Sequence, residues 1–267
     1  MPELPDVETE RRYLAATALH RRITRVHADQ DLLEGTTPAA MGRVLHDRRF
    51  ETTHRHGKFL FAASDGPWWL VLHFGMTGGL VFFKAGGAVS PPRHIRLLFE
   101  FDNDYRLAYD CQRKLGLIAL CRDPATFVSD RGLGPDALDS RLDLDAFEEA
   151  RVGRRLPVKA WLMDQQAIAG IGNVYSDEIL FHARIHPACR INALDPETVQ
   201  RLFQLMKKIL EQCVKARAEP DRMPVSFLLP HRTPDGCCPR CGVALARQRI
   251  SGRMAYFCPQ CQAESGD

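Results

Sequence analysis

Apolar and polar positions alternate in short runs along the first half of the chain, a pattern that predicts β-strands. Turn-forming stretches such as Asp65-Gly66-Pro67 and Pro91-Pro92 separate the runs, as in a β-sandwich. A helix is predicted to precede them, because Pro5 suits a first turn and Asp6 and Glu8 suit the positive end of a helix. The predicted strands are Ile23 to Val26, Phe50 to His54, Lys58 to Ala62, Trp68 to Phe74, Leu80 to Lys84, Ile95 to Phe101, Arg106 to Tyr109 and Leu115 to Cys121.

In the second half the apolar period becomes helical. Asp195 and Pro196 are expected to start a helix as its N-cap and first residue, with apolar residues at helical spacing over the following turns. Another helix is expected from Val174 to Phe181, after a glycine-containing turn. Residues 123 to 157 are interpreted as a connection with a short helix, and the proline-rich stretch 218 to 236 as a linker.

These elements predict an α+β protein with an N-terminal β-sandwich behind a leading helix and a C-terminal helical domain. We expect the sandwich at 1–130, a linker at 131–157, the helical domain at 158–235 and a metal-binding module at 236–267. The chain has no apolar run of the ~18 residues that a membrane span needs, and its N-terminus lacks the pattern of a signal peptide. A cytoplasmic protein without membrane contact is therefore expected.

The charge distribution favours a polyanionic partner for the second half of the chain. Residues 1 to 150 carry 19 Lys and Arg against 22 Asp and Glu, whereas residues 151 to 267 carry 17 against 11. A basic excess of this kind suits a nucleic-acid backbone. The alternative is a basic surface that serves only solubility.

Four of the nine cysteines form two C-x-x-C pairs, Cys238/Cys241 and Cys258/Cys261, with sixteen residues between the pairs. This spacing predicts four thiolate ligands for one tetrahedral zinc ion. A site filled by four thiolates has no open position, so the metal would be structural. Redox-active thiols are the alternative, and Cys237 is a less well spaced substitute for Cys238.

Pro2 is the candidate nucleophile. If Met1 is removed, Pro2 becomes a free secondary amine beside the carboxyl group of Glu3. Such an amine can attack an electrophilic sugar carbon and become an iminium ion.

Two further features suit phosphate binding. The turn Gly170-Ile171-Gly172 opens a helix whose N-terminal amides can bind phosphate oxygens, with Asn173 as a side-chain donor. Between the cysteine pairs, Arg247, Arg249 and Arg253 form a basic hairpin. The alternatives are a plain helix connection and solvated hairpin charges.

Seven motifs, in order along the whole chain, resemble those of the formamidopyrimidine-DNA glycosylase and endonuclease VIII family. The resemblance implies that the helical domain carries a helix-two-turn-helix and a four-cysteine zinc finger, with double-stranded DNA in the cleft between the domains and the protein acting as a monomer. The motifs are Pro2-Glu3-Leu4-Pro5-Asp6-Val7-Glu8-Thr9, His56-Gly57-Lys58, Gly75-Met76-Thr77-Gly78, Leu162-Met163-Asp164-Gln165, Ala169-Gly170-Ile171-Gly172-Asn173-Val174-Tyr175, Ile185-His186-Pro187 and Tyr256-Phe257-Cys258-Pro259-Gln260-Cys261-Gln262.

The same resemblance implies a bifunctional DNA glycosylase and AP lyase of base excision repair. Pro2 would attack C1′ of a damaged nucleotide that has left the stack, displacing the base and forming a Schiff base. Glu3 would protonate the sugar ring oxygen and assist later proton transfers. β- and then δ-elimination would cleave the strand.

Matching to the family also assigns the remaining site residues. Lys58 would lie near the lesion and its phosphate, and Asp6 would support the amine from nearby. Asn173 and Arg253 would contact phosphates beside the flipped nucleotide, and Tyr175 belongs to the same DNA-binding motif as Asn173. On its own, Lys58 would be interpreted as a solvated strand lysine.

Met76, Arg113 and Leu115 match positions that fill the vacated stack and approach the orphaned base. An apolar wedge with an arginine suits that task. Without the resemblance, Met76 and Leu115 are equally well interpreted as core residues and Arg113 as a surface charge.

The chain departs from the family pattern at three places. Asp6 stands where many members have Glu, and the loop Asp110-Cys111-Gln112-Arg113-Lys114-Leu115-Gly116 is one residue longer than usual, with Leu in place of Phe. Members that recognise 8-oxoguanine carry a long capping loop, whereas only about twenty residues separate Val214 from Cys238 here. Oxidised pyrimidines, ring-opened or hydantoin purines, abasic sites or bulkier adducts are therefore expected as substrates.

A second class of function remains open. A damage- or structure-specific DNA-binding protein with little turnover would retain the same fold, and a transcriptional zinc-ribbon protein is a more distant alternative. The intact Pro2-Glu3 pair favours catalysis, because a protein that only binds DNA has no use for a free amine next to an acid.

Overall fold

The computed structural model describes residues 1–88 and 90–263, which form two compact units. Of these described residues, the first unit comprises Met1–Pro2 and those from Asp6 to Arg131, and the second comprises Glu3–Pro5 and those from Gly132 onwards. The chain therefore passes from one unit to the other at three peptide bonds: between Pro2 and Glu3, between Pro5 and Asp6, and between Arg131 and Gly132.

The first unit is a β-sandwich, as predicted, and the eight predicted strands are confirmed. The structure adds the short strand Leu33–Glu34 and the helix Pro38–Leu45, which begins at the N-cap Thr37. The helices are α1 (Leu4–Thr17), α2 (Pro38–Leu45) and α3 (Pro124–Asp130), and the strands are β1 (Ile23–Ala28), β2 (Leu33–Glu34), β3 (Phe50–His56), β4 (Phe59–Ser64), β5 (Trp69–His73), β6 (Gly79–Lys84), β7 (Ile95–Phe101), β8 (Tyr105–Asp110) and β9 (Leu117–Cys121).

The core of the first unit lies between two sheets. One sheet has the order β1-β7-β8-β6 and the other β2-β9-β5-β4-β3. Alternate residues of both sheets are buried here, and Phe50 meets Phe99 edge to face with ring centroids 5.3 Å apart. Val7 and Leu14 of α1 pack into this core, together with Ala18, which directly follows the helix.

The connection after the sandwich contains two short helices where one was predicted. They are α3 and α4 (Leu144–Glu149), and each begins at an aspartate N-cap, Asp123 and Asp143. Helix α3 covers the outer face of the five-stranded sheet, where the ring of Phe127 lies 5.4 Å from that of Phe59. The N-cap signals were present in the sequence, but the helices are too short to show an apolar period.

The second unit contains the helices α5 (Val158–Leu162), α6 (Asn173–Ala183) and α7 (Pro196–Lys215). Both predicted helices are confirmed, and Asp195 caps α7 by accepting a hydrogen bond from the Thr198 N–H at 2.8 Å. Trp161 is the largest side chain in the core that these helices enclose. No helix within residues 1–88 and 90–263 is long and apolar enough to cross a membrane.

A two-stranded hairpin lies between the two cysteine pairs of the second unit. Strands β10 (Ala246–Ile250) and β11 (Arg253–Phe257) are joined by Ser251 and Gly252, which have φ angles of 47° and 79°. Two consecutive residues with positive φ define the type I′ turn that suits the twist of a tight hairpin.

Candidate functional site

The carboxylate of Glu3 is held by the N-terminus of α6. Glu3 is only 1% exposed. One of its oxygens, Oε2, accepts hydrogen bonds from the N–H groups of Gly172 at 2.7 Å and Tyr175 at 3.2 Å, and Oε1 accepts one from Val174 at 2.8 Å. A carboxylate at this end of a helix also interacts favourably with the helix dipole. The side chain is therefore fixed in one orientation directly after Pro2.

The glycines before α6 are required by this close approach. A Cβ atom on Gly172 would lie 2.5 Å from Oε1 of Glu3. Gly170 has a φ of +117°, and a Cβ there would lie 2.9 Å from the Cβ of Leu4. Gln165 supports the turn from behind, because its side-chain amide donates to the carbonyl of Ile171 at 2.7 Å and accepts from the N–H of Gly170 at 3.0 Å.

This arrangement corrects the role that the sequence suggested for the turn. The N-terminal amides of α6 were expected to bind phosphate, but three of them bind Glu3 instead. The buried side-chain oxygen of Asn173 has no hydrogen-bond partner among the described residues. The ring of Tyr175 lies in the hydrophobic core with 3% exposure, and its main-chain N–H donates to Glu3.

A buried group of charges lies behind the N-terminus of α6. The ammonium group of Lys159 donates to the carbonyl of Asn173 at 3.0 Å, to the hydroxyl of Ser176 at 2.8 Å and to Oδ1 of Asp177 at 2.6 Å. Lys159 and Asp177 are both buried. Sequence patterns did not identify either residue, because a charged residue in a helix is usually solvated.

Asp177 also connects α6 to the C-terminal hairpin. Its Oδ2 atom accepts hydrogen bonds from Nε of Arg232 at 2.9 Å and from the main-chain N–H of Tyr256 at 3.1 Å. The guanidinium of Arg232 lies over the ring of Tyr256, 4.6 Å from its centroid. One carboxylate thus joins the helix that begins at Asn173 to the strand that begins at Arg253.

Cys238, Cys241, Cys258 and Cys261 converge as predicted. Their sulfur atoms all lie within 4.8 Å of one another. Tetrahedral zinc with Zn–S bonds of about 2.3 Å places its sulfur atoms about 3.8 Å apart, so the donor set fits this metal. Cys237 is exposed and lies outside the group.

The arginines of the hairpin lie on its exposed surface. Arg247, Arg249 and Arg253 are all exposed, and Arg253 pairs with Ile250 across the turn. The side chain of Gln262 anchors the base of the hairpin. It accepts a hydrogen bond from the N–H of Cys258 at 3.0 Å and donates one to the carbonyl of Ile185, which lies between α6 and α7, at 2.9 Å. The arginines are therefore presented on an anchored module.

In the first unit, Lys58 is buried at 7% exposure, so its interpretation as a solvated strand lysine was wrong. It lies in the turn between β3 and β4, next to Gly57, which has a φ of +55°. The guanidinium of Arg55 donates to the carbonyl of Gly57 at 3.1 Å and helps to hold this turn. Burial, aided by the charges of Lys58 and Arg131, lowers the pKa of His73 to about 4.

Asp6 lies one helical turn before a second carboxylate that the sequence analysis did not identify. Glu10 accepts a hydrogen bond from the N–H of Leu80 at 3.0 Å. Burial raises the pKa of Glu10 to about 7, and the charge of Asp6 adds to this while the Leu80 bond opposes it. Because residues four positions apart lie on the same face of a helix, the spacing of Asp6 and Glu10 could have identified this pair of acids in the sequence.

Met76 and Leu115 are exposed, at 42% and 53%, so their interpretation as core residues was wrong. Met76 lies in the turn between β5 and β6, and Leu115 lies with Arg113 in the loop between β8 and β9. Arg113 is exposed as well. The structure therefore presents all three side chains on loops at strand ends of the first unit.

Family models match three consecutive parts of the chain. Residues 1–118 match the "Formamidopyrimidine-DNA glycosylase N-terminal domain", residues 133–223 the "Formamidopyrimidine-DNA glycosylase H2TH domain" and residues 238–263 the "Zinc finger found in FPG and IleRS". The third match and the four converging thiols identify the cysteines as ligands of one structural zinc ion.

Individual proteins match over almost the whole chain. Formamidopyrimidine-DNA glycosylases of Chloroflexus aurantiacus and Thermomicrobium roseum are 33% and 35% identical, with 98% of this chain and 98% and 99% of theirs covered. The fold is similar to that of Lactococcus lactis Fpg (MutM) in complex with DNA containing N7-benzyl-Fapy-dG, with a TM-score of 0.88, 26% identity and coverage of 98% of this chain and 100% of that one. A complex of the same enzyme with DNA containing an abasic site has a TM-score of 0.87, with the same identity and coverage.

Proposed function

The chain belongs to the formamidopyrimidine-DNA glycosylase family, and we propose on this basis that it removes damaged bases from double-stranded DNA and cleaves the resulting abasic site through Pro2. The observation that carries the proposal is the carboxylate of Glu3, buried and held by three amides directly after Pro2. Such fixed geometry is what general acid–base chemistry at a neighbouring amine requires.

The proposed reaction begins once Met1 has been removed. The nitrogen of Pro2 forms a bond to C1′ as the damaged base leaves with the electron pair of its bond to C1′, and Glu3 transfers the proton released by the Pro2 nitrogen to the ring oxygen as the sugar opens. The resulting iminium ion makes the proton on C2′ acidic. Loss of this C2′ proton expels the 3′ phosphate by β-elimination, and a second elimination expels the 5′ phosphate. Lys58 and Asp6 are proposed to assist near the lesion and the amine.

The DNA contacts are proposed residue by residue. Asn173 begins a helix whose amides already hold Glu3, so a phosphate bound by its side chain would lie next to the proposed acid. Arg253 is exposed on the hairpin and suits a second phosphate. Met76, Arg113 and Leu115 are proposed to enter the space that the flipped nucleotide leaves.

The preferred substrate is proposed to be a lesion other than 8-oxoguanine. The segment between α7 and the zinc finger contains only two short 3₁₀ turns, Pro220–Arg222 and Leu229–His231. A segment of this length offers little chain to enclose a flipped base. We propose oxidised pyrimidines, ring-opened or hydantoin purines, abasic sites or bulkier adducts as substrates.

Borohydride trapping tests the reaction. Protein shown by intact mass to lack Met1 is incubated with duplexes that carry an abasic site, 8-oxoguanine, a hydantoin or an oxidised pyrimidine. A covalent adduct that maps to Pro2 is expected, and in Pro2→Gly its formation should be slowed while DNA binding is retained. Binding without an adduct on any of these duplexes would instead support a damage-binding protein with little turnover.

A further inference from the structure

The two loops that carry the exposed apolar side chains touch each other through their main chains. A Cβ on Gly75, next to Met76, would lie 2.5 Å from the carbonyl carbon and oxygen of Leu115 and 2.6 Å from the nitrogen of Gly116. Gly75 also has a φ of +59°, which disfavours any residue with a side chain. The Met76 turn and the Leu115 loop are thus packed backbone against backbone.

Tyr109 lies directly beneath this contact. It is fully buried, and its hydroxyl donates to the carbonyl of His73 at 3.1 Å. A Cβ on Gly78 would lie 2.8 Å from the Tyr109 hydroxyl, and a Cβ on Gly116 would overlap with the same oxygen. One phenol group therefore contacts the end of the Met76 turn and the end of the Leu115 loop.

His73 contributes a second link to the same contact. Its Nδ1 atom accepts a hydrogen bond from the N–H of Gly75 at 3.2 Å, while its carbonyl accepts from Tyr109. The imidazole is neutral at neutral pH because burial lowers its pKa, so Nδ1 can accept. His73 therefore holds the Met76 turn at Gly75, the residue before Met76.

The outer side of the Leu115 loop is anchored separately. Lys114 has a φ of 49° and its ammonium group lies 3.0 Å from Asp29 and 2.5 Å from Asp31. The guanidinium of Arg96 donates to the carbonyl of Cys111 at 3.0 Å. Lys114 is thereby directed to the acidic pair, which leaves Arg113 and Leu115 as the exposed side chains on either side of it.

We propose that Tyr109 is a positioning residue that locks the Met76 turn and the Arg113–Leu115 loop into one pre-assembled wedge for entry into the DNA stack. The proposal rests on the proposed function. A wedge that is ordered before binding loses less conformational freedom on insertion than two independent loops. Removing the hydroxyl of Tyr109 should loosen the wedge without touching the groups that react.

The test compares Tyr109→Phe with Tyr105→Phe, a matched change on the same strand that is away from both loops and stacked on Phe82. Single-turnover trapping is measured on two substrates: an abasic site in a paired duplex, where a wedge is needed, and an abasic site in a single strand, where it is not. Tyr109→Phe is expected to slow the duplex reaction about tenfold, the change that corresponds to about 1.4 kcal/mol, and to leave the single-strand reaction unchanged. Tyr105→Phe should match the wild type on both.

A double-mutant comparison separates positioning from a general structural effect. In protein that carries Met76→Ala and Leu115→Ala, adding Tyr109→Phe should have no further effect on the duplex reaction. Equal rates of Tyr109→Phe and wild type on the duplex, equal losses on both substrates, or a full additional loss in the Met76→Ala and Leu115→Ala protein would each overturn the proposal. Failure of the wild type to react with either substrate would refute the proposed function instead.

Discussion

Replacing Glu3 with glutamine is expected to destabilise the second unit in addition to removing the proposed acid. A carboxylate accepts hydrogen bonds at both oxygens, and here Oε2 receives two N–H groups while Oε1 receives the N–H of Val174. Glutamine has one acceptor oxygen and one NH₂ group. If its oxygen takes the place of Oε2, its NH₂ group faces the Val174 N–H, and that donor loses its partner.

The size of the expected loss in stability follows from these contacts. A buried N–H group left without an acceptor costs about 1–3 kcal/mol. Loss of the negative charge at the helix N-terminus costs a further ~0.3–1 kcal/mol. The free energy of unfolding should therefore fall by roughly 1–4 kcal/mol, which for a protein of this size corresponds to a fall in Tm of about 3–16 °C.

Calorimetric unfolding of Glu3→Gln, wild type and Pro2→Gly measures this effect. Pro2→Gly serves as the control because it replaces the proposed secondary amine with a primary amine and leaves the three amide contacts of Glu3 in place. It should slow trapping with a Tm near that of the wild type, whereas Glu3→Gln should lose both activity and stability. A Tm for Glu3→Gln within about 2 °C of the wild type would refute the argument from the three hydrogen bonds.

Three further predictions concern the rest of the molecule. Because the folded-state pKa of Glu10 is about 7, above its ordinary value of 4.5, its contribution to stability is fully present below pH 4.5 and is lost as the pH rises through 7. Glu10→Gln should therefore flatten the pH dependence of Tm between pH 5 and 8 relative to the wild type, and an unchanged profile would exclude Glu10 as its source. Cys258→Ser should lose zinc and DNA affinity together, since metal binding and folding are coupled in so small a module; full zinc content by elemental analysis would contradict the ligand assignment. Arg253→Ala should weaken binding to all lesions alike and reduce the slope of log affinity against log salt by about 1, while a loss confined to one lesion would indicate base recognition.

The features predicted from sequence are those that depend on local spacing. The strands of the sandwich follow a two-residue alternation, α7 follows a helical period from an Asp-Pro start, and the zinc ligands follow two C-x-x-C pairs. Each of these signals lies within a short stretch of chain, so no knowledge of tertiary contacts was needed.

The features missed from sequence depend on contacts between distant residues. The amides of Gly172, Val174 and Tyr175 appeared free to bind phosphate, because their acceptor Glu3 lies about 170 residues away in the chain. Lys58 was interpreted as solvated because a lysine in a strand is usually exposed, yet the fold buries it. The family resemblance identified these residues as candidates for the site. Their burial and hydrogen-bond partners were found only in the structure.

The buried charges around Asp177 explain how a very small module can be held in a defined orientation. The finger has few apolar residues of its own, with Leu245 and two cysteines packing against Phe181 and Leu228. A core of that size stabilises an orientation only weakly. Asp177 supplies directional contacts instead, since it binds Arg232 and the N–H of Tyr256 while Lys159 holds it from the other side. Buried ion pairs contribute little net stability but penalise every arrangement that leaves one charge unpaired, so the cluster favours a single orientation of the arginine hairpin relative to the start of α6.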